Sequence, residues 1–217
     1  MVGGEDPVTV VVDRGPVWTL TLDRPTRANA LSADLVEALH TSLDEADAAR
    51  PDALVLRGNA RHFAAGFDLG GLAEETDATL ALRFLRIGAL LERLVAAPYI
   101  TVAVAEGAAV GAGADLVLAC DHRLVSPSVT LRFPGSAFGV ALGVHRRAEL
   151  GGRHATGVPG DLADVLAGPR PDRPGHDSDA DVSALARSVS VPGLHSRLTA
   201  YADQTMRTTP SRKKEPA

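Results

Sequence analysis

Residues 100–121 read ITVAVAEGAAVGAGADLVLACD. Ile100–Ala105 is a short, almost wholly apolar run, the pattern of a strand buried inside a sheet. Glu106 and Gly107 end it, Gly111-Ala112-Gly113 makes a small-residue turn, and Leu116–Cys120 continues as a short apolar helix that stops at Asp121. Small residues let a backbone approach a ligand closely. A helix N-terminus adds N–H groups with no intrahelical partner and the positive end of a dipole. Two such groups aimed at one point would stabilise negative charge on a carbonyl oxygen. The competing reading is a tight turn in which side chains would clash.

Outward from this stretch the same grammar recurs. Residues 8–12 and 17–22 read as two strands around a turn at Asp13–Pro16, with Trp18, Leu20 and Leu22 on one face. Ser32 suits an N-cap, and Leu35, Leu39, Leu43 and Ala46 recur at helical spacing, predicting a helix over 33–49. Ala53–Arg57 is a strand, followed by a second small-residue loop, Ala64-Ala65-Gly66-Phe67-Asp68. A helix is expected over 78–96, ended by Pro98, and short strands at Arg123–Val125 and Val129–Leu131. Strands alternating with helices argue an α/β fold with crossover helices. After residue 151 the character changes. Residues 153–181, rich in Pro, Gly, Asp and Arg, read as a loop connection, followed by helices over 180–190 and 194–206 and a frayed end over 208–217. There is no internal sequence repeat.

Composition narrows the class. The 217 residues fit one domain, and 45% hydrophobic with 23% charged residues is ordinary for a globular chain. Twenty-seven acids against 22 bases give a net charge of −5, which argues against nucleic acid as partner. The single cysteine excludes a disulfide framework and a cysteine-rich zinc site. No apolar run is long enough for a membrane span, and no basic-then-apolar leader opens the chain, so a cytoplasmic protein is expected. The only lysines are Lys213 and Lys214, so a cation in the core must be arginine. No dinucleotide fingerprint, phosphate loop or Gly-x-Ser-x-Gly elbow is present.

Three motifs together resemble the enoyl-CoA hydratase/isomerase (crotonase) family. They are Leu22-Asp23-Arg24-Pro25 with Asn29-Ala30-Leu31, then Phe63-Ala64-Ala65-Gly66-Phe67-Asp68-Leu69. The third is Val102–Gly107 with Gly111-Ala112-Gly113-Ala114-Asp115-Leu116 and Cys120-Asp121. The resemblance covers roughly residues 8–150. It implies a ββα spiral, usually trimeric, that binds acyl-CoA thioesters and stabilises an enolate with two backbone N–H groups. By position these would be those of Phe67 and Ala112, with Ala65, Gly66, Asp68, Gly111 and Gly135 around the substrate. CoA would enter as part of the substrate, with no separate cofactor, no metal and no membrane.

The resemblance also exposes departures. Hydratases of the family use two glutamates. Asp115 stands at the first position, and Gly135, in Leu131-Arg132-Phe133-Pro134-Gly135, stands at the second. Asp115 can also be read as an early-helix acid favoured by the dipole. Arg132, His145, Glu74 and Glu75 are candidates to compensate, although each reads more readily as a solvated charge. Arg24, Arg27 and Arg61 are the cations available for CoA phosphates. The expected organisation is an acyl-CoA-binding core over 1–150, a connection over 151–181 and a shortened, altered helical tail over 182–217. The leading expectation is an enolate-forming acyl-CoA enzyme of hydratase/dehydratase or isomerase type, homo-oligomeric, placed by analogy with short family members in secondary metabolism. The alternatives are a decarboxylase or hydrolase, and a non-catalytic partner of another biosynthetic enzyme.

Overall fold

A computed structural model describes residues 9–169 and 177–208. The chain runs β1 (Thr9–Asp13), β2 (Val17–Asp23), α1 (Ala33–Ala49), β3 (Ala53–Arg57), β4 (His62–Ala64), α2 (Asp77–Ala96) and β5 (Ile100–Ala105). It continues β6 (Ala108–Ala109), α3 (Ala112–Ala119), β7 (His122–Val125), α4 (Val144–Leu150), α5 (Leu162–Ala167), α6 (Ser178–Val189) and α7 (Leu194–Thr208). The larger sheet has the order β1-β2-β3-β5-β7, antiparallel only between β1 and β2. A smaller parallel sheet pairs β4 with β6.

These pairings expose a repeat that the residues conceal. Each turn of chain contributes one strand to the large sheet, one short segment to the small sheet and then a helix: β3-β4-α2, then β5-β6-α3. Single parallel bridges, Leu31 to Phe67 and Val110 to Arg132, extend the small sheet at both ends. The stretches β2–α1 and β7–α4 thus follow the same course, and the fold is a ββα spiral. The repeat lives in backbone pairing, which many residue types satisfy, so it leaves no periodic residues.

Alternation along the strands sorts the core. Trp18, Leu20, Leu22, Leu54, Leu56, Ala103 and Ala105 face one way, packed with α1, α2 and α3. Val55, Val102, Val104 and Leu124 face the other, covered by Leu162, Val165 and Leu166 of α5. Ser32 caps α1 as expected, accepting from the Leu35 N–H at 3.2 Å.

Two expectations need correction. Val129–Leu131 is not a strand; in that stretch only Arg132 pairs, through its one bridge. The connection over 151–181 is not all loop: α5 lies within it and packs on the sheet, and α6 begins at Ser178. Prolines and glycines bound these helices rather than replacing them. A further helix, α4, follows Gly143; at seven residues it is too short to show periodicity. Residues 170–176 of the connection and 209–217 of the expected frayed end lie outside the described residues.

The exit from β2 is held by Asn29, fully buried and at φ +55°. Its Oδ1 accepts from the Arg24 N–H at 2.9 Å, and its Nδ2 donates to the carbonyls of His62 and Phe63 at 3.3 and 3.1 Å. Asparagine tolerates this left-handed conformation better than most residues, and its amide ties the first spiral turn to β4. Asn29→Ala leaves these buried groups unpaired. It is expected to lower stability by about 3 kcal/mol in urea denaturation, where a surface substitution changes it by about 0.5 kcal/mol or less.

Candidate active site

The parallel pairing of β4 and β6 brings the two small-residue loops to the same end of the small sheet. His62 lies opposite Ala108 and Ala64 opposite Ala109, and the Val110 N–H donates to the Ala64 carbonyl at 3.0 Å. Just beyond, Gly66 has φ +87°, and a Cβ there would sit 2.5 Å from the Val110 carbonyl oxygen and 3.4 Å from the Ala112 nitrogen. Gly111 precedes α3 at φ 54°, ψ −128°, a conformation open in practice only to glycine. The backbones meet because neither carries a side chain.

This closeness sets two N–H groups free on neighbouring segments. The Leu31 N–H donates to the Gly66 carbonyl at 2.7 Å and the Asp68 N–H to the Leu31 carbonyl at 3.2 Å. In a parallel bridge those contacts use one edge of the segment, so the Phe67 N–H between them points to the other. On the second loop, the Gly111 N–H donates to the Arg132 carbonyl at 2.7 Å and the Gly113 N–H to the Val110 carbonyl at 3.0 Å. Ala112 is the first residue of α3, where the N–H has no intrahelical acceptor. Among the described residues neither the Phe67 nor the Ala112 N–H has a protein acceptor.

Both loops border a cavity of about 180 Å³. Ala65, Gly66, Phe67, Gly111, Ala112, Asp115 and Gly135 all line it. Asp68 does not. It is buried, its carboxylate bound to Arg24 and to the Gly70 N–H at 2.8 Å. Its carbonyl accepts from Arg83 Nη2 at 3.0 Å, and the Arg83 guanidinium lies 4.3 Å from the centre of the Phe67 ring. Phe84 stacks on the same ring, with centroids 4.2 Å apart. Asp68, Arg24 and Arg83 therefore brace the loop that carries the Phe67 N–H.

The rest of the wall is mostly apolar, from Leu69, Phe84, Phe138, Val140 and Leu142, with Tyr201 and Thr205 from α7 and one cation, Arg147. Helix α7 is anchored by Leu194, Leu198 and Ala202 in the core. The Asp77 carboxylate accepts from the N–H groups of Gly193 and His195 at its start, both at 2.7 Å. The candidates weighed to compensate for Gly135 stand elsewhere. The side chains of Arg132, His145 and Glu74 are exposed, and Glu75 is ion-paired with Arg83. Arg24 is committed to Asp68, while Arg27 and Arg61 are exposed. Among the described residues no group of three or more His, Cys, Asp or Glu is placed to hold a metal ion, and no helix is long and apolar enough to cross a membrane.

Asp115 is the one carboxyl in the cavity wall among the described residues, and it is 2% exposed. Arg147 Nη1 donates to its Oδ1 at 3.1 Å, and the Arg147 guanidinium also lies 4.7 Å from the centre of the Phe133 ring. Burial pushes the Asp115 carboxyl up to about 7, although Arg147 and Arg146 favour its charged form. A carboxyl poised there can both accept and donate a proton near neutral pH. Arg147 escaped the sequence reading. Its only signal was a pair of arginines after a glycine, and its partner lies 32 positions back. Tyr201 had a weak signal, as a rare aromatic on an amphipathic helix.

Burial pushes the Asp115 carboxyl up to about 7 in the folded state, against about 3.9 in an unfolded chain. Between these values the folded state holds more protons, so Asp115 contributes stability at low pH that is lost as pH rises through about 7. Asp115→Asn, which keeps an acceptor for Arg147, is expected to gain in Tm relative to the parent as pH rises from about 4 to about 7. A Tm difference flat across that range contradicts the assignment.

Known proteins place this geometry in a lineage. A Mycobacterium bovis protein named "Probable enoyl-CoA hydratase echA6" is 39% identical over 126 residues, 58% of this chain and 50% of the relative. Human ethylmalonyl-CoA decarboxylase is 31% identical over 128 residues, 57% of this chain and 41% of the relative. The chain thus spans about half the length of the curated relatives it matches. The solved structure of a Bordetella parapertussis protein described as an enoyl-CoA hydratase/isomerase superposes with a TM-score of 0.80 at 34% identity, covering 90% of this chain and 98% of that one. The family model described as enoyl-CoA hydratase/isomerase matches residues 13–148, the span that holds both loops and Asp115, and the chain belongs to that family.

Proposed function

We propose that the protein acts on an acyl-CoA thioester, holding its enolate oxygen between the N–H groups of Phe67 and Ala112 while Asp115 moves the proton. The observation that carries this reading is the juxtaposition of two donors without protein acceptors and one buried carboxyl around one apolar cavity. Removing a proton α to a thioester carbonyl builds negative charge on the oxygen. Fixed donors in a site that excludes water stabilise that charge without reorganising. CoA is part of the substrate and no other cofactor is invoked. Arg27 and Arg61, exposed and not committed as Arg24 is, are the cations proposed for its phosphates.

A single carboxyl favours a single-group reaction. In a shift of a double bond from the β,γ to the α,β position, Asp115 as carboxylate takes the α-proton. The electrons pass into the enolate, and the protonated acid returns a proton at the γ-carbon. Atoms balance with no second group. Hydration asks for activation of water as well as proton delivery, and Gly135 supplies no carboxyl for it. A second reading, a partner protein that binds the thioester without turning it over, draws its support from the same Gly135. A homo-oligomer is proposed in either case.

The test is conversion of a 3-enoyl-CoA to its conjugated 2-enoyl isomer, followed by absorbance, beside hydration of crotonyl-CoA. Isomerisation is expected to dominate. Ala112→Pro deletes one donor at a first helical position, where proline is tolerated, and should cut turnover by about 10²–10³-fold with the fold intact. Asp115→Asn should abolish it. A rise in Tm with CoA and no turnover on any thioester would instead support the binding-partner reading.

A further inference from the structure

Helix α4, which presents Arg147 to the cavity, cannot cap itself. Its N-cap position is Gly143, at φ +58°, and a Cβ there would lie 2.8 Å from Asp115 Oδ1. The room that a capping serine or aspartate would need is taken by the carboxyl of the site. The cap comes instead from a distant helix. Asp181, on α6 and 4% exposed, accepts from the His145 N–H through Oδ1 at 2.9 Å and from the Arg146 N–H through Oδ2 at 3.3 Å. These are donors of the first turn of α4, which helix geometry leaves without acceptors. A second brace comes from α2: the buried Arg146 donates through Nη2 to Glu92 Oε1 at 2.9 Å. Arg147, next in sequence, is still within that first turn.

We propose that Asp181 is a positioning residue for the active site, holding the first turn of α4 so that Arg147 stays on Asp115. A helix of seven residues has little stability of its own, so its start is ordered only as far as its partners order it. Without the cap, the turn that carries Arg147 frays and the 3.1 Å contact to Asp115 loosens. The inference rests on the reading of Asp115 as the proton-moving group. It gives a role in the site to residues beyond the 13–148 span that matches the family.

The charged groups that bear on Asp115 are Arg147 and Arg146 from α4, which favour its ionised form, and Asp181 from α6, which opposes it. Glu92 of α2 is engaged with Arg146, and the His145 side chain is exposed. Asp181 therefore acts in two opposite senses. Its charge disfavours the Asp115 carboxylate directly, and its cap favours it through Arg147. Two variants separate them. Asp181→Asn and Asp181→Ala both remove the charge, but only the first keeps an acceptor for the helix.

The experiment is a ¹³C NMR titration of protein labelled at the aspartate carboxyls, with the Asp115 signal assigned by its loss in Asp115→Asn. It needs no substrate, so it reads this inference whether or not the protein turns over thioesters. The Asp115 midpoint in Asp181→Ala is expected about one pH unit above that in Asp181→Asn. Adding Arg147→Met to each should bring the midpoints together. Coincident midpoints in the two single variants, or a gap that survives Arg147→Met, would overturn the proposal. Asp181→Leu, which fills the same space without an acceptor, replaces Asp181→Ala should that variant not fold.

Discussion

The contact on which the rest depends has no side chain in it. Gly66 passes so close to Val110 that one added carbon would sit 2.5 Å from a carbonyl oxygen. Because the segments pair in parallel, they run out at the same end and turn the Phe67 and Ala112 N–H groups loose together. Backbone geometry of this kind is expensive to distort and indifferent to most of the residues that surround it. That is why the same core tolerates a glycine, Gly135, in the cavity wall.

The proposed chemistry then turns on one buried acid. Removing Asp115 from water would by itself keep it neutral. Arg147 alone, in such a place, would favour the carboxylate. The balance, a carboxyl pushed up to about 7, reflects burial working against two arginines. The balance is spread over three helices, since Arg147 sits on α4, α4 is capped by α6, and Arg146 is braced by α2. Such a pair is sensitive to geometry because the buried Asp115 carboxylate has no solvent to replace Arg147, which is itself only partly buried.

Much of the fold was legible because its elements are local. Ser32 and the leucine spacing of α1 state a capped helix, and Ala53–Arg57 states a buried strand; both fall where expected. The ββα spiral was readable through its motifs, although its repeat is not, because backbone pairing imposes no residue pattern. What was misread lies in short or composition-biased segments. Seven residues of α4 and six of α5 offer less than two helical turns of pattern, and the prolines around α5 disguise it as loop. At the site, the glycines and small residues of both loops announced a close backbone approach, and seven of the expected residues do surround the cavity. Asp68 belongs instead to the brace behind it, a distinction that depends on where Arg24 and Arg83 end up.

The sequence by itself determined the class of fold, the family and the two small-residue loops that come together. These follow from local rules: which residues tolerate left-handed conformations, which spacings build helices, which runs can be buried. Only the tertiary structure decided what stands next to Asp115. Arg147 comes from 32 positions further on and Asp181 from another helix again. Their meeting is a consequence of how the spiral closes on α6. Long-range electrostatics of a buried group are set by distance in space, and distance in space is what a linear order of residues leaves unstated.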